Sequence, residues 1–325
     1  MGLIVCKFGG TSLAGAQQIE AVRRIVRDDP RRRLIVASAP GRRYVGDEKI
    51  TDLLIRRAVE PARRRLQSLA DAAGAPVEVS LPASAPVDFL ASRGEFYCAR
   101  ILAHALGFDF VDAAELIRFR SDGQVDFSAT AAAIRRTLRA GQRAVIPGFY
   151  GALPDGLVHT LPRGGSDTTG ALVAAAVRAE RYENFTDVPG LFDADPALIA
   201  DAKPVMHAAY DEVRLLSRCG ATVLHEDALR PAEQADVPIR LCSTFEPDAP
   251  GTLIHTRMAE RLMVSARLFP CGTRCAVAGQ GAMELLPELR AHFPNARVRL
   301  LPGGLTITLH MPCREAVSAL RQLTK

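Results

Sequence analysis

The chain has 325 residues, of which 48% are hydrophobic and 24% charged, which is ordinary for a globular protein with one large and one small domain. Its formal net charge of +5 suits an anionic substrate such as a nucleotide, but the excess is too small and too scattered to indicate nucleic-acid binding. No apolar run approaches the roughly 18 residues of a membrane span and the N-terminus lacks a signal sequence, so we expect a cytoplasmic protein without a membrane partner.

Short apolar strands alternate with helical stretches from residue 3 to residue 241. The predicted strands cover residues 3–8, 34–38, 144–146, 183–185 and 239–241. The predicted helices cover residues 17–27, 53–73, 94–106, 129–140, 168–181, 209–219 and 226–234. Buried strands that alternate with helices are typical of an α/β domain with a largely parallel sheet.

A break rich in proline and glycine follows at residues 247–251. We therefore predict a domain at residues 1–256 and a small domain at residues 257–325. The second part predicts strands at 261–268, 296–301 and 305–310 and helices at 282–292 and 314–323, which is a βαββα order. The seven cysteines are scattered, so we expect reduced thiols and no metal site.

The segment Lys7-Phe8-Gly9-Gly10-Thr11-Ser12 leaves the first strand and precedes a helix. Glycines let the backbone approach a ligand, and exposed N–H groups there can bind phosphate oxygens. Lys7 could neutralise a phosphoryl group during its transfer. The alternative is a plain glycine turn with a solvated lysine.

The segment Pro162-Arg163-Gly164-Gly165-Ser166-Asp167 precedes a helix of small residues. Arg163 could bind a carboxylate through two hydrogen bonds, and Asp167 could receive an ammonium group. Together they would bind the head group of a free amino acid. The alternative is that Ser166 or Asp167 caps the helix.

A third segment, residues 185–196, ends a strand in an acidic turn, at a position where open α/β sheets bind nucleotides. Read alone, it is an acidic turn without a role. Ser38 follows a strand, Thr51 opens a helix, and Glu95 lies near a predicted helix start. For Glu95 the alternative is a solvated acid in a first helical turn.

In order and spacing these segments resemble aspartate kinases of the amino acid kinase superfamily. The matching residues are Lys7-Phe8-Gly9-Gly10-Thr11-Ser12, Ser38-Ala39 with Thr51-Asp52, Gly94-Glu95, Arg163-Gly164-Gly165-Ser166-Asp167, and Thr186-Asp187-Val188 with Gly190 and Asp195-Pro196. The resemblance implies a three-layer α/β/α fold with a mainly parallel central sheet, followed by one truncated ACT-like module. It also implies a homo-oligomer, a dimer, since ACT-like modules usually pair.

The resemblance further implies that ATP, with Mg²⁺ carried on its phosphates, phosphorylates the side-chain carboxylate of L-aspartate. Lys7 and Asp167 would be the catalytic residues. The substrate would contact Ser38, Thr51, Glu95, Arg163, Gly164 and Ser166. The nucleotide would contact Lys7, Gly9, Gly10, Thr11, Thr186, Asp187, Phe192, Asp195 and Pro196.

The chain departs from this family pattern at three positions. Thr222 and Ala197 stand where many aspartate kinases carry a basic residue, and Phe192 stands where tyrosine is common. Two alternatives therefore stay open: a kinase for another acidic amino acid, or a catalytically weak regulatory subunit that binds nucleotide. Because the predicted second domain has room for one ACT-like module, we expect weak or no inhibition by lysine or threonine.

Overall fold

The computed structural model describes residues 2–162, 164–221, 224, 226–270 and 272–323. The strands are β1 (Ile4–Phe8), β2 (Arg32–Ala37), β3 (Asp109–Phe110), β4 (Ala144–Pro147), β5 (Tyr150–Ala152), β6 (Val158–Thr160), β7 (Arg181–Thr186), β8 (Leu191–Phe192), β9 (Pro204–Val205), β10 (His207–Ala209), β11 (Ile239–Ser243), β12 (Thr252–His255), β13 (Met263–Phe269), β14 (Gly272–Ala278), β15 (Arg297–Leu301) and β16 (Gly304–Leu309). The helices are α1 (Ala16–Asp28), α2 (Ile50–Ile55), α3 (Val59–Ala72), α4 (Val87–Leu106), α5 (Ala113–Leu116), α6 (Phe127–Thr137), α7 (Gly165–Ala176), α8 (Tyr210–Arg218), α9 (Glu226–Gln234), α10 (Leu286–His292) and α11 (Cys313–Leu323).

Eight strands form the large sheet, in the order β10-β12-β11-β7-β1-β2-β4-β3. The six strands from β11 to β3 are mutually parallel, and β12 pairs antiparallel with β11. Strand β1 is buried along its whole length because it lies between β7 and β2. Its side chains alternate between two cores: Val5 packs with residues of α5 to α9, whereas Ile4 and Phe8 pack with residues of α1 to α4. The predicted three-layer α/β/α class is confirmed.

Three predicted helices have different bounds in the structure. The stretch 53–73 is two helices, α2 and α3, separated at Arg57, whose φ is +61°. Pro61 explains the break, because a proline ring clashes with the carbonyl of the residue four positions earlier in a continuous helix. Helix α4 begins at Val87 rather than Gly94, and α7 covers Gly165–Ala176 rather than 168–181.

The small sheet has the order β13-β14-β16-β15 and is antiparallel throughout. It contains a strand that the sequence analysis did not predict, β14, so the element order is ββαββα. One face of the sheet packs on α10 and α11, with Val277, Ile307 and Leu320 in its core. On the other face, Met263 and Ala276 join the core that contains Leu215 and Leu216 of α8.

Among the described residues, no helix combines the length and the apolar character that crossing a membrane requires.

Candidate active site

The carboxyl ends of the central strands of the large sheet lie side by side at one edge, and three of the predicted motifs follow these ends: Gly9-Gly10 after β1, Ser38 after β2 and Asp187 after β7. Open α/β sheets bind their ligands at this edge. Four backbone N–H groups donate hydrogen bonds to neighbouring strand ends: Gly9 to Phe185 (3.0 Å), Ser38 to Phe8 (3.2 Å), Gly148 to Ala37 (2.9 Å) and Thr244 to Thr186 (3.0 Å). The loops are therefore fixed relative to one another by the sheet itself.

A cation, a carboxylate and an amide form the centre of this edge. Lys7 on β1 and Asn184 on β7 are paired in register, so their side chains share a face of the sheet. The Lys7 Nζ lies 2.7 Å from Oδ1 of Asp167, and Asn184 Nδ2 donates to the same oxygen at 2.9 Å. Lys7 is only 8% exposed. Because a buried ammonium needs a partner, Asp167 holds this charge in place, and the alternative of a solvated Lys7 is wrong.

Asp167 lies in the first turn of α7, whose N-cap is Gly164 with a φ of +83°. No side chain of a described residue caps this end, so the alternative that Ser166 or Asp167 caps the helix is wrong. Ser166 is instead packed against Gly148, where an added Cβ would lie 2.6 Å from the Ser166 Oγ. The N-terminal amides of a helix attract anions, and here they lie next to the Lys7–Asp167 pair.

The glycine loop after β1 packs backbone to backbone against the loop after β2. The Gly41 N–H donates to the Gly10 carbonyl at 2.7 Å. A Cβ at Gly10 would lie 2.9 Å from the Ala39 carbonyl oxygen, so only glycine fits this approach. Thr11 then begins a short 3₁₀ turn, and Ser12 exchanges a side-chain hydrogen bond of 2.7 Å with Thr244 beyond β11. The phosphate-binding role of Gly9, Gly10 and Thr11 stays a prediction.

Glu95 lies in the third turn of α4, not near its start, and is only 4% exposed. Burial raises the pKa of its carboxyl group to about 8, against the opposing effect of the Ala39 amide. Its Oε2 has no hydrogen-bond partner among the described residues. The alternative of a solvated first-turn acid is therefore wrong. A buried carboxyl oxygen without a partner suits the ammonium group of a ligand.

Two other predicted substrate residues lie close to the loop between β2 and α2. Ser38 and Thr51 are both half-buried, Ser38 directly after β2 and Thr51 in the first turn of α2. Helix α2 packs on α4 near Gly94, where an added Cβ would lie 3.2 Å from the Ile50 Cγ2. The substrate contacts of Ser38 and Thr51 stay predictions.

The predicted nucleotide loop lies beside the small sheet. A pocket of about 180 Å³ is lined by Phe192, Asp195 and Pro196 of this loop and by Val264 and Ser265 of β13. Thr186 and Asp187 do not line this pocket. They lie at the end of β7, where the Thr186 hydroxyl donates to Asp187 at 3.1 Å. The structure thus brings three of the five predicted loop residues together.

Asp193 is a charged loop residue that the sequence analysis did not assign. It is buried, and the Lys203 N–H donates to its Oδ1 at 2.8 Å. The Arg321 guanidinium of α11 lies 3.3 Å from Oδ2, and that of Arg261 lies 3.7 Å from the same oxygen. This carboxylate therefore ties the nucleotide loop to the last helix.

Arg314 of α11 also contacts the loop, because its guanidinium donates to the Ala197 carbonyl at 3.4 Å. An arginine of the small domain thus lies where the resemblance predicts a basic residue on the loop itself. Arg163 and Thr222 lie outside the described residues, so the carboxylate-binding role of Arg163 stays a prediction. A cleft of about 970 Å³ opens beside that segment, lined in part by Pro162, Thr168, Arg218 and Arg230.

Asn184 is the other residue that the sequence analysis missed. Its signal was a polar amide in the middle of a buried strand, where a polar side chain needs a hydrogen-bond partner. Identifying that partner required the register of β1 against β7, which the sequence does not show.

A sequence profile of the amino acid kinase family matches residues 2–243. The chain belongs to the amino acid kinase family. This membership and the resemblance to aspartate kinases are confirmed.

Three comparisons describe this member of the amino acid kinase family more closely. It is 32% identical over 294 residues to aspartokinase 3 of Bacillus subtilis, covering 78% of this chain and 63% of that protein. The chain thus spans less than two thirds of that relative. It is 25% identical to the crystal structure of Clostridium acetobutylicum aspartate kinase, with a TM-score of 0.82 and 100% of both chains covered. It is 26% identical to Escherichia coli aspartokinase III solved with lysine and aspartate, with a TM-score of 0.68, covering 99% of this chain and 83% of that one.

Proposed function

We propose that the chain is an aspartate kinase, which transfers the γ-phosphoryl group of ATP to the side-chain carboxylate of L-aspartate. The products are 4-phospho-L-aspartate, an acyl phosphate, and ADP. The observation that carries the proposal is the buried Lys7–Asp167–Asn184 cluster beside the Gly9-Gly10 loop. The similarity to aspartate kinases supports the choice of acceptor, because the E. coli relative was solved with aspartate.

The chemistry needs positioning and charge neutralisation more than it needs a base. The acceptor carboxylate is already ionised at neutral pH, so it attacks the γ-phosphorus directly. The bond between this phosphorus and the β–γ bridging oxygen breaks, and ADP leaves with the electron pair. The Lys7 ammonium would stabilise the charge on the transferring group. Asp167 and Asn184 would keep that ammonium in one place, so that no reorganisation is needed during the transfer.

We assign the nucleotide to the loop after β7. Its pocket, beside Phe192 and Pro196, is apolar enough for a base. Thr186 and Asp187 lie at the end of β7, the strand that pairs with β1, which carries Lys7. We take Mg²⁺ to enter on the phosphates of ATP, as part of the nucleotide substrate, because Mg²⁺ commonly binds through substrate phosphates.

We assign the amino acid head group to the region around Glu95. The unpartnered Oε2 of this buried acid would accept a hydrogen bond from the α-ammonium group. Ser38 and Thr51 lie close to the loop between β2 and α2. Since Asp167 is already bound to Lys7, its role is to order the site rather than to receive the substrate ammonium.

Trapping of the product with hydroxylamine tests the proposal. The full chain with ATP, Mg²⁺ and aspartate should give aspartyl hydroxamate, and the Lys7→Ala variant should serve as the blank. A panel with glutamate and other acidic amino acids, read by ADP release, tests the alternative acceptor. ATP binding without turnover on any acceptor would instead indicate a regulatory subunit.

We also propose that the chain forms a homodimer through the small sheet. Strand β15 is an edge strand and exposes Leu300 and Leu301. Unpaired strand edges with apolar side chains favour association. Sedimentation of the wild type against Leu300→Lys should show a dimer that the variant weakens, and a wild-type monomer would contradict this assignment.

A further inference from the structure

The open part of the small sheet forms a groove lined by arginines. The basic groove is defined by Arg218 of α8, Arg274 of β14, Arg297 and Arg299 of β15, and Thr306 and Thr308 of β16. Its volume is about 470 Å³, which is ample for a small molecule. It lies on the face of the sheet opposite α10 and α11. None of the described residues that are predicted to bind aspartate or nucleotide lines it.

The register of the sheet explains why the basic side chains share one face. Arg274 pairs with Thr308, and Thr308 pairs with Arg297, so these three residues form one row across three strands. Arg299 and Thr306 form the next row on the same face, because side chains two positions apart point the same way. At the inner end of the face, Ala276 and Met263 are buried against α8 instead. The groove is the part of this sheet face that α8 does not cover.

The positive charge of this face is not balanced by nearby acids. Arg274, Arg297 and Arg299 are exposed, and no carboxylate of a described residue forms an ion pair with any of them. Arg218 pairs with Glu226 at 2.7 Å, and that acid does not line the groove. Like charges held this close together raise the local potential and attract a counter-ion.

The spacing of the arginines indicates what kind of anion fits. Arg297 and Arg299 are separated by about 7 Å along β15, and Arg274 and Arg297 by roughly 10 Å across two strand spacings. One small ion cannot contact all three arginines at these separations, whereas a molecule with two charged groups can. Guanidinium groups bind phosphate oxygens through paired hydrogen bonds, and the hydroxyl groups of Thr306 and Thr308 offer further donors on the floor.

We propose that the basic groove binds a small molecule that carries two or more phosphate groups, at a site separate from the kinase centre. The groove places three guanidinium groups without an ion pair and two hydroxyl groups around one cavity, between α8 and the small sheet, and the Arg274 guanidinium also lies over the Phe269 ring. This binding does not depend on the proposed kinase activity.

Inorganic pyrophosphate is the simplest probe, and calorimetry on the full chain measures its binding. Pyrophosphate should bind the wild type, and the double variant Arg297→Gln with Arg299→Gln should bind it at least about tenfold more weakly. Glutamine keeps the length and the polarity of these exposed side chains, so the fold should survive. The charge-preserving double variant Arg297→Lys with Arg299→Lys should show an intermediate loss of pyrophosphate affinity. If the glutamine variant misfolds, this lysine variant tests whether pyrophosphate binds in the groove.

Two control variants separate the groove from other anion sites. Arg290→Gln removes an exposed arginine from α10, on the opposite side of the same sheet, and should leave the affinity within about twofold. Lys7→Ala removes the cation of the kinase centre and should also leave groove binding within about twofold. Raising the ionic strength should weaken binding to the wild type more than to the glutamine variant.

Several outcomes would overturn the proposal. Equal pyrophosphate affinity in the wild type and both double variants would remove the groove as the site. Loss of binding in Lys7→Ala alone would assign the anion to the kinase centre. A fluorescent DNA duplex that binds through Arg297 and Arg299 while pyrophosphate does not would make the groove a nucleic-acid surface. A change in subunit number in the double variant, without pyrophosphate binding, would make it an interface between copies of the chain.

Discussion

The large sheet and the small sheet hold their charged residues in opposite ways. In the large sheet, Lys7 is buried against Asp167 at the carboxyl ends of the strands, and Glu183 is fully buried between Arg32 and Arg181, the first residues of β2 and β7. On the open face of the small sheet, Arg297 and Arg299 are exposed and have no ion pair among the described residues. Buried charges must be paired, whereas exposed ones need not be.

This contrast predicts where substitutions are felt. In the large sheet, removing one partner leaves another buried charge or polar group without its bond, so both stability and catalysis should suffer. In the small sheet, exposed arginines should change ligand binding while the fold stays intact. Its stability should depend instead on the apolar core under α10 and α11.

The largest effect is expected for Lys7→Ala. Loss of the ammonium removes the charge that stabilises the transferring phosphoryl group, so kcat should fall by about 10²- to 10³-fold. Steady-state ADP release with aspartate measures this. Arg139→Ala removes an exposed cation after α6, away from the assigned site, and should leave the rate near that of the wild type. A Lys7→Ala variant as active as Arg139→Ala would refute the assigned role.

Leu320→Ala tests whether residues 257–325 form a domain of their own, which we propose. Leu320 is fully buried in the core under α11, so its truncation should lower the stability of the small sheet by about 2–5 kcal/mol. Leu66→Ala makes the matching change in the core of the large sheet. Hydrogen exchange resolved by segment should show each variant loosening its own sheet. Equal loosening of both sheets by either variant would mean one cooperative unit.

Asn184→Ala should lower the free energy of unfolding by about 1–3 kcal/mol, because Oδ1 of Asp167 loses a buried hydrogen bond. The rate should also fall by about tenfold, as the Lys7–Asp167 pair becomes less well fixed. Urea unfolding and ADP release measure the two effects. Asn295→Ala changes an exposed asparagine before β15 and should change neither the free energy of unfolding nor the rate. An unchanged rate in Asn184→Ala would show that the amide does not position the pair.

Glu95→Gln should change how stability depends on pH. The pKa of Glu95 is about 8 in the fold, against an ordinary value of 4.5, so the folded chain holds a proton that the unfolded chain releases between these values. The contribution of Glu95 is therefore fully present below pH 4.5 and is lost as the pH rises towards 8, by up to about 1.4 kcal/mol per pH unit.

Urea unfolding across this range should show the glutamine variant gaining on the wild type as the pH rises. Glu115→Gln, at an exposed glutamate, is the control and should follow the wild type. Calorimetry adds a second check: aspartate binding near neutral pH should release a proton from the wild type but not from Glu95→Gln. No difference between the two proteins in either experiment would contradict a neutral, buried Glu95.

The sequence predicted the segments of the site better than their surroundings. Lys7, the glycines and Asp167 were identified because their chemistry is visible in short motifs. Asn184 and Asp193 were missed because their partners, Asp167 and Arg321, are distant in the chain. Such pairings depend on strand register and helix docking, which a single sequence does not show.

Errors in the elements have local causes. Periodicity predicts one helix at 53–73, whereas the steric effect of Pro61 divides this stretch into α2 and α3. The predicted order of the small domain lacks β14, because β14 begins at Gly272, directly after the end of β13 at Phe269, and the sequence does not show where one strand ends and the next begins. The predicted start of α4 at Gly94 is seven residues later than the observed start at Val87. Gly94 allows close packing against Ala39 and does not mark the start of the helix.

The contact between Asp193 and Arg321 joins two parts of the molecule that the sequence separates by more than a hundred positions. If α11 moved away, a buried acid in the nucleotide loop would lose the nearer of two guanidinium groups. Displacement of the last helix therefore carries an electrostatic penalty in the loop to which we assign the nucleotide. By reciprocity, a nucleotide that holds this loop in place would also hold the C-terminal helix, so ATP should slow proteolytic cleavage near residue 321.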